Sequence, residues 1–496
     1  MRKIFFALIA ISGILVSCSK DFLNPQPTNA VSDEQIFSSV EAANTALNSA
    51  YAYIGHYYSM TLGTVMAEVM GEDAAMSSGA YGFPTYNWNL YSYTYSQVAA
   101  SEPWWFGYSN YIWPTDYKGI DAVNSILANA EALPEGSDKD ELLAQAYAVR
   151  GFLYLRLIRL FAPTYTVNPD GKGVILRLET ANAASEHLGR APIKDVYSQI
   201  ISDLTYAVNN CKGSATNFIT SKAAALLLAR AYLDMADYSN AKKYAELAAG
   251  NTFDGSNLCS PAEWTSGFKD HNSEWLWYFE YNETTSNFYA SLPSFYYLAD
   301  GYTDLEPDGH KDLATSYENG VNFLDGYSTV RWTKRFVDYF EDSDCRKMFP
   351  FYFVIEDGWL TNKFGHRAVI GDAEFPMARI AEAYLIKAEC EAQTGGAAAA
   401  KKVLNALQVA RGASETEGTL ENIYMERRKE LYGEGFRLHD IKRLHQPLDR
   451  TKDPEHWAEV KSLPADSPRF MLPIPEVEML YNSALTPADQ NDFWAK

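Results

Sequence analysis

From residue 116 to 250, and again from 376 to 433, apolar side chains recur every three to four positions, the spacing at which one face of an α-helix meets a core. The pattern predicts helices near 116–131, 139–161, 192–211, 219–236, 239–249, 376–394, 397–411 and 420–433. A capping-box pattern at Ser32-Asp33-Glu34-Gln35 opens one more helix, through about Tyr57. Two stretches break the regularity. Residues 71–114 and 251–375 are rich in Gly, Pro, Ser, Asn and aromatics, with only short strand-like runs at 275–281 and 349–355. Loops of that length in a compact domain are uncommon and usually functional. The expected fold class is therefore all-α, carrying long irregular, aromatic-rich insertions.

The helical part has repeat character. Across 225–248, Leu228, Ala229, Tyr232, Ala241 and Ala248 meet the tetratricopeptide pattern, with small residues where paired helices approach closely. Ala245 stands where that pattern usually has an aromatic, and the neighbouring Tyr244 is the substitute. Tyr384, Ala388, Ala400 and Leu404 form a second partial match. Such helix pairs cannot bury their apolar faces alone, so several should stack. An ordinary helical bundle is the alternative.

The amino terminus bears on the compartment. Arg2 and Lys3 precede an apolar run, Ile4–Val16, that is too short to span a bilayer, which is the pattern of an export signal over residues 1–17. Leu15-Val16-Ser17-Cys18 resembles a bacterial lipobox, making Cys18 the acylated first residue of the mature chain. Residues 18–31 contain Asn24-Pro25-Gln26-Pro27 and read as an extended tether, because each Pro biases its predecessor away from the helix. Ser19-Lys20-Asp21 resembles the short charged signals that send lipoproteins to the cell surface. With 42 basic against 63 acidic side chains, a net charge of −21 repels nucleic acid and anionic lipid heads, so attachment to a membrane falls to lipid. Five widely spaced cysteines without a C-x-x-C pair exclude a disulfide scaffold and point to neither redox nor zinc chemistry.

The segment Ala378-Arg379-Ile380-Ala381-Glu382-Ala383-Tyr384-Leu385-Ile386-Lys387-Ala388-Glu389 resembles a helix characteristic of the SusD/RagB family. So do Glu426-Arg427-Arg428-Lys429-Glu430-Leu431-Tyr432-Gly433-Glu434-Gly435-Phe436-Arg437 with Asp440 and Arg443, and the closing Leu472-Pro473-Ile474-Pro475 with Asn482. Near the front, Phe22-Leu23, Pro27, Phe37, Ala42 and Tyr51, then Trp113, Tyr117, Ile120 and Asn124, match the family's beginning. The resemblance runs from Cys18 to Asn482 and is faint only over about 251–350. It implies a tetratricopeptide-like helical scaffold with an irregular ligand-binding face, and an outer-membrane partner, a SusC-like TonB-dependent transporter. It further implies nutrient capture and delivery without catalysis and without a cofactor. The expected division is a helical region 32–250 carrying the aromatic loop 71–114, a variable ligand face at 251–375, and a helical region 376–496.

A neutral oligosaccharide offers ring faces edged with C–H groups and a rim of hydroxyls. Flat aromatics stack on the former, while Asn, Asp, Gln and Arg satisfy the latter, since a buried unpaired hydroxyl costs about 1–3 kcal/mol. Segment 81–113 supplies Trp88, Asn89, Tyr91, Trp104 and Trp105, and segment 275–302 supplies Tyr289 and Tyr296. These are the candidate ligand contacts, expected to converge in one shallow cleft. Asp73 joins them because it resembles an acidic position lining the family's binding face. Trp113 and Tyr117, spaced i, i+4 at a helix start, are expected in the core. Trp275 and Trp277 share a face of a strand-like run, where core packing competes with ligand contact. The dense charges of 426–443 have the three- and four-residue spacing of intrahelical pairing, which is a structural reading. Asp304, Glu306, Asp308, Gly309 and Asp312 approximate a calcium loop, but Pro307 and Thr315 spoil it, so no metal is expected. No H-E-x-x-H, G-x-x-x-x-G-K-[ST] or G-x-S-x-G motif is present. The same scaffold binding peptides, or binding only the transporter, are the rival readings.

Overall fold

The computed structural model describes residues 36–56, 59–76, 91, 109–181, 185–286, 288–297, 311–312, 317–318, 321–322, 326–353, 358–453, 456, 458 and 460–494. Its frame is a run of helices: α1 (Val40–Gly55), α2 (Thr61–Val69), α3 (Ser109–Ala128), α4 (Ser137–Phe161), α5 (Ile193–Asn210), α6 (Ser221–Asp234), α7 (Tyr238–Ala249), α8 (Ile380–Gln393), α9 (Ala397–Ala410), α10 (Leu420–Leu431), α11 (Arg437–Arg443) and α12 (Glu476–Tyr481). Helix α1 packs on α3, and from α3 each helix packs on the next through α7; α7 then packs on α8 across the irregular middle, and α8 on α9 and α10. That is the stacking of a tetratricopeptide-like array.

Local chemistry explains the joints. Thr220 caps α6 by accepting from the Ala223 N–H, and Asp237 caps α7 by accepting from the Asn240 N–H. Gly250 closes α7 in the left-handed conformation at φ 67°. Gly119 and Gly151 let α3, α4 and α5 close up, because a Cβ at either would stand 2.8 Å from Leu153 or Leu204. In the α6–α7 pair, Ala229, Ala241, Ala245 and Ala248 are buried, and Tyr244 stacks on Tyr232 at 5.6 Å with ring planes 6° apart. Tyr244 thus fills the aromatic role that Ala245 leaves open.

The boundaries differ from the expected ones at several places, and α3 begins at Ser109, inside the stretch 71–114 that was expected to be irregular and ahead of its expected start at 116. The first long helix is capped by Ser39, whose hydroxyl accepts from the Ala42 N–H, while the box at Ser32 lies outside the described residues. Helix α2 was not expected at all. Residues 375–379 form a strand where a helix was expected from 376, and α8 begins at Ile380.

The strands that bear on the site and its support are β1 (Ala74–Met76), β2 (Lys172–Ile175), β3 (Arg190–Pro192), β4 (Trp275–Phe279), β5 (Lys311–Asp312), β6 (Val330–Trp332), β7 (Phe351–Phe353), β8 (Gly358–Leu360) and β9 (Phe375–Arg379). A small sheet runs β1-β6-β8-β7-β5, antiparallel except for β5 beside β7. It draws β1, from the amino-terminal part, onto strands of the irregular middle. Strand β4 pairs antiparallel with β9, so Trp277 lies opposite Ala378 at the base of α8. Both short runs expected as strands, 275–281 and 349–355, contain one. No helix among the described residues is long and apolar enough to cross a membrane.

Candidate functional site

The charged block 426–443 lies in the interior. Glu430 is fully buried between Arg411 (2.9 Å), Arg379 (3.1 Å) and Arg346 (3.1 Å). Burial opposes its charge, yet these guanidiniums hold its carboxyl well below the usual range. Glu434 pairs with Lys363 and Arg379, both at 2.7 Å, and burial brings the Lys363 ammonium down to about 8 against the pull of Glu434. Asp440 bridges Arg427 (2.8 Å) and Arg443 (2.7 Å). Burial, with Arg159 and Lys442 nearby, drives His439 far below its ordinary pKa, which keeps it neutral. His445 stands apart, joining Asp466 (2.7 Å) and Thr166 (2.9 Å), and so ties three surface loops. The carboxylates of this block serve as struts between helices.

Asp73 belongs to the same architecture. Its carboxylate accepts two hydrogen bonds from Arg428, one of them at 2.9 Å, and its backbone oxygen accepts from the Thr333 N–H at 2.9 Å. Adjacent Glu72 accepts from Arg437 at 2.6 and 3.0 Å. Burial works against ionisation of Glu72, but Arg437 and Arg428 prevail and hold it at about 2. This is a correction: Asp73 is buried in an ion pair with Arg428, which joins the amino-terminal part of the chain to its carboxy-terminal helices.

Two expected ring contacts are likewise interior. Tyr91 is 0% exposed; its hydroxyl donates to the Met70 carbonyl at 2.7 Å, and the Arg450 guanidinium lies 5.3 Å from its ring. Tyr296 is 0% exposed, its ring 5.0 Å from Trp332 and 5.3 Å from Phe364, and its hydroxyl has no hydrogen-bond partner among the described residues. Neither presents a face to solvent, which corrects their expected place in an open cleft. Trp275 and Trp277 are core residues too, Trp277 meeting Phe152 edge-on at 4.8 Å, and so is Trp113, whose indole N–H donates to Glu478. Trp88, Asn89, Trp104, Trp105 and Cys18 lie outside the described residues, as do Asp304, Glu306 and Asp308.

Tyr289 is different. It is 47% exposed beside Phe288, itself 45% exposed, and the two rings meet edge-to-face at 4.6 Å. Phe288 takes a left-handed φ of 47°, and Gly371, at φ 86°, fits against it where a Cβ would come within 2.7 Å of the Phe288 backbone. Behind Tyr289 stands Tyr327 at 5.7 Å, and behind that the fully buried Phe295 at 5.5 Å. Ser294 fixes this ladder by accepting from the Tyr327 N–H at 3.1 Å. The result is an outward-facing aromatic corner on a rigid base, suited to stacking against an apolar ring face. Phe288 was missed in the sequence because nothing there marks it as solvent-facing.

A profile described as starch-binding and associating with the outer membrane matches residues 21–233, and the SusD family profile matches 341–494. A SusD-like protein from Bacteroides ovatus is 23% identical over 73% of this chain, which spans 64% of that relative, a little under two thirds of its length. A solved structure described as a putative sugar-binding protein from Bacteroides vulgatus is 25% identical, with a TM-score of 0.74 over 92% of this chain and 99% of its own. A laminarin-binding SusD-like protein shares the fold at a TM-score of 0.69 and 21% identity, covering 91% of this chain and 99% of its own. The helical array, the irregular middle and the two profiles agree: the chain belongs to the SusD family.

Proposed function

We propose that this protein binds oligosaccharide or polysaccharide at the cell surface, without catalysis, and delivers it to a SusC-like TonB-dependent transporter in the outer membrane. Cys18 would carry the lipid anchor. The observation that supports the reading most is the exposed Phe288–Tyr289 corner on its rigid ladder of rings. It lies within the stretch 251–375 expected to vary with the ligand. Trp88, Asn89, Trp104 and Trp105 are the proposed further contacts of this face. The acidic surface suits a neutral glycan, which needs no electrostatic steering.

Affinity electrophoresis and calorimetry against laminarin, starch and other glycans test the reading, with Tyr289→Ala, Trp88→Ala, Trp104→Ala and Trp105→Ala alongside the parent. Saturable glycan binding that these variants weaken supports it. Saturable peptide binding with no glycan response overturns it in favour of a peptide carrier. Intact ligand capture with weakened transporter association in the same variants assigns the rings to the transporter contact instead.

A further inference from the structure

A cavity of about 320 Å3 opens between α3, the segment joining β2 to β3, and α12, in a part of the molecule built from different elements than the Phe288–Tyr289 corner. Its size is at the lower end of the roughly 300–1,000 Å3 usual for small-ligand sites. Ile120, Ile175 and Val477 give it an apolar floor, and Tyr481, 76% exposed, stands at its rim with an open ring face.

The polar groups around that floor are held in place by bonds that leave other valences unused. Asp121 accepts from the Ala181 N–H at 2.7 Å through one oxygen. Arg177 donates to the Glu186 carbonyl at 2.7 Å through one nitrogen. The Nδ1 of His187 accepts from the Ser483 N–H at 2.9 Å, which leaves Nε2 as the ring's N–H donor. Glu478 is fixed by Trp113 at 3.2 Å and Asn482 at 2.8 Å. Donors (Arg177, His187) and acceptors (Asp121, Glu478) thus surround one apolar floor. The two carboxylates disfavour an anion, the arginine disfavours a cation, and the polar rim penalises a purely apolar guest.

We propose that this cavity is a second saccharide site, taking the terminal one or two rings of a neutral glycan, with Tyr481 as the stacking face and Asp121 and His187 as hydroxyl partners. The inference rests on the carbohydrate reading above but not on the aromatic corner. Calorimetry and saturation-transfer NMR on the full mature chain, with maltose and laminaribiose as probes and laminarin and starch as polymers, test it. At least one disaccharide is expected to bind the parent, and Tyr481→Ala and Asp121→Asn are each expected to weaken that binding about tenfold or more. Tyr481 is largely exposed, so its truncation leaves the fold intact. Disaccharide binding that ignores both Tyr481→Ala and Asp121→Asn, or polymer binding without any disaccharide binding, overturns the second site alone. A chain that binds neither polymer nor disaccharide overturns the carbohydrate reading with it.

Discussion

Trp277 and Tyr289 come from the same aromatic-rich stretch, yet one is sealed between Phe152 and Phe279 while the other stands in solvent beside Phe288. The difference comes from what each stretch of backbone is bonded to. Strand β4 is paired to β9 and so drawn under α8, whereas residues 288–290 turn outward against Gly371 and expose their rings. Aromatic residues that look interchangeable in composition divide into a load-carrying interior set and a small set free to meet a ligand.

That division can be broken by substitution. Truncating an inner ring carries the largest effect: Trp277→Ala should lower stability by about 3–5 kcal/mol in chemical denaturation, through lost contacts and the cavity left behind. A loss under about 1 kcal/mol would contradict the place of Trp277 in the load-carrying interior. Next comes Glu68, which burial raises to about 7 and whose side chain accepts from the Gly435 N–H at 3.2 Å. Its folded pKa lies above the unfolded value, so its stabilisation is complete below about pH 4.5 and is lost as pH rises through about 7. The parent should lose roughly 2–3 kcal/mol between about pH 5 and 8 that Glu68→Gln does not lose, read from unfolding curves at each pH.

Smaller still is Tyr296→Phe, which deletes a buried hydroxyl that has no partner among the described residues. It should be neutral or stabilising by up to about 1 kcal/mol and leave glycan binding unaltered, whereas a hydroxyl that touched ligand would show as lost affinity. Tyr289→Ala should change stability least, within about 0.5 kcal/mol by thermal unfolding, while weakening glycan binding.

The helices were legible because amphipathic periodicity survives wherever one face is wet: α4 to α7, α9 and α10 lie close to their expected ranges, whereas α3 begins at Ser109 against an expected 116. Helix α2 was not, because Thr61-Leu62-Gly63-Thr64-Val65-Met66-Ala67-Glu68-Val69 is buried on nearly every face and so carries no alternation to read. The five-stranded sheet was largely illegible for a different reason, only the run holding β7 having been expected as a strand. Its strands are two or three residues long, and only their pairing across distant parts of the chain defines them. The site was read less well than the scaffold. Residue type favoured Asp73, Tyr91 and Tyr296 equally with Tyr289, and only tertiary burial separates them. A carboxylate followed far downstream by an Arg-rich helix is equally compatible with an ion pair and with an open acceptor. The charged block around Glu430 was read as structural and is interior, but the expected pairing lay within its own helix, whereas Glu430 pairs with Arg346, Arg379 and Arg411 from other elements.

The clasp of Glu72 and Asp73 onto Arg437 and Arg428 has a consequence for biogenesis. The front of the polypeptide cannot complete its interior until residues near the far end have emerged, so maturation is withheld until nearly the whole chain is present. A product cut short before Arg428 would bury two anions without their counter-charges, at about 3–5 kcal/mol for each broken pair, and should be degraded instead of accumulating as a partly working protein.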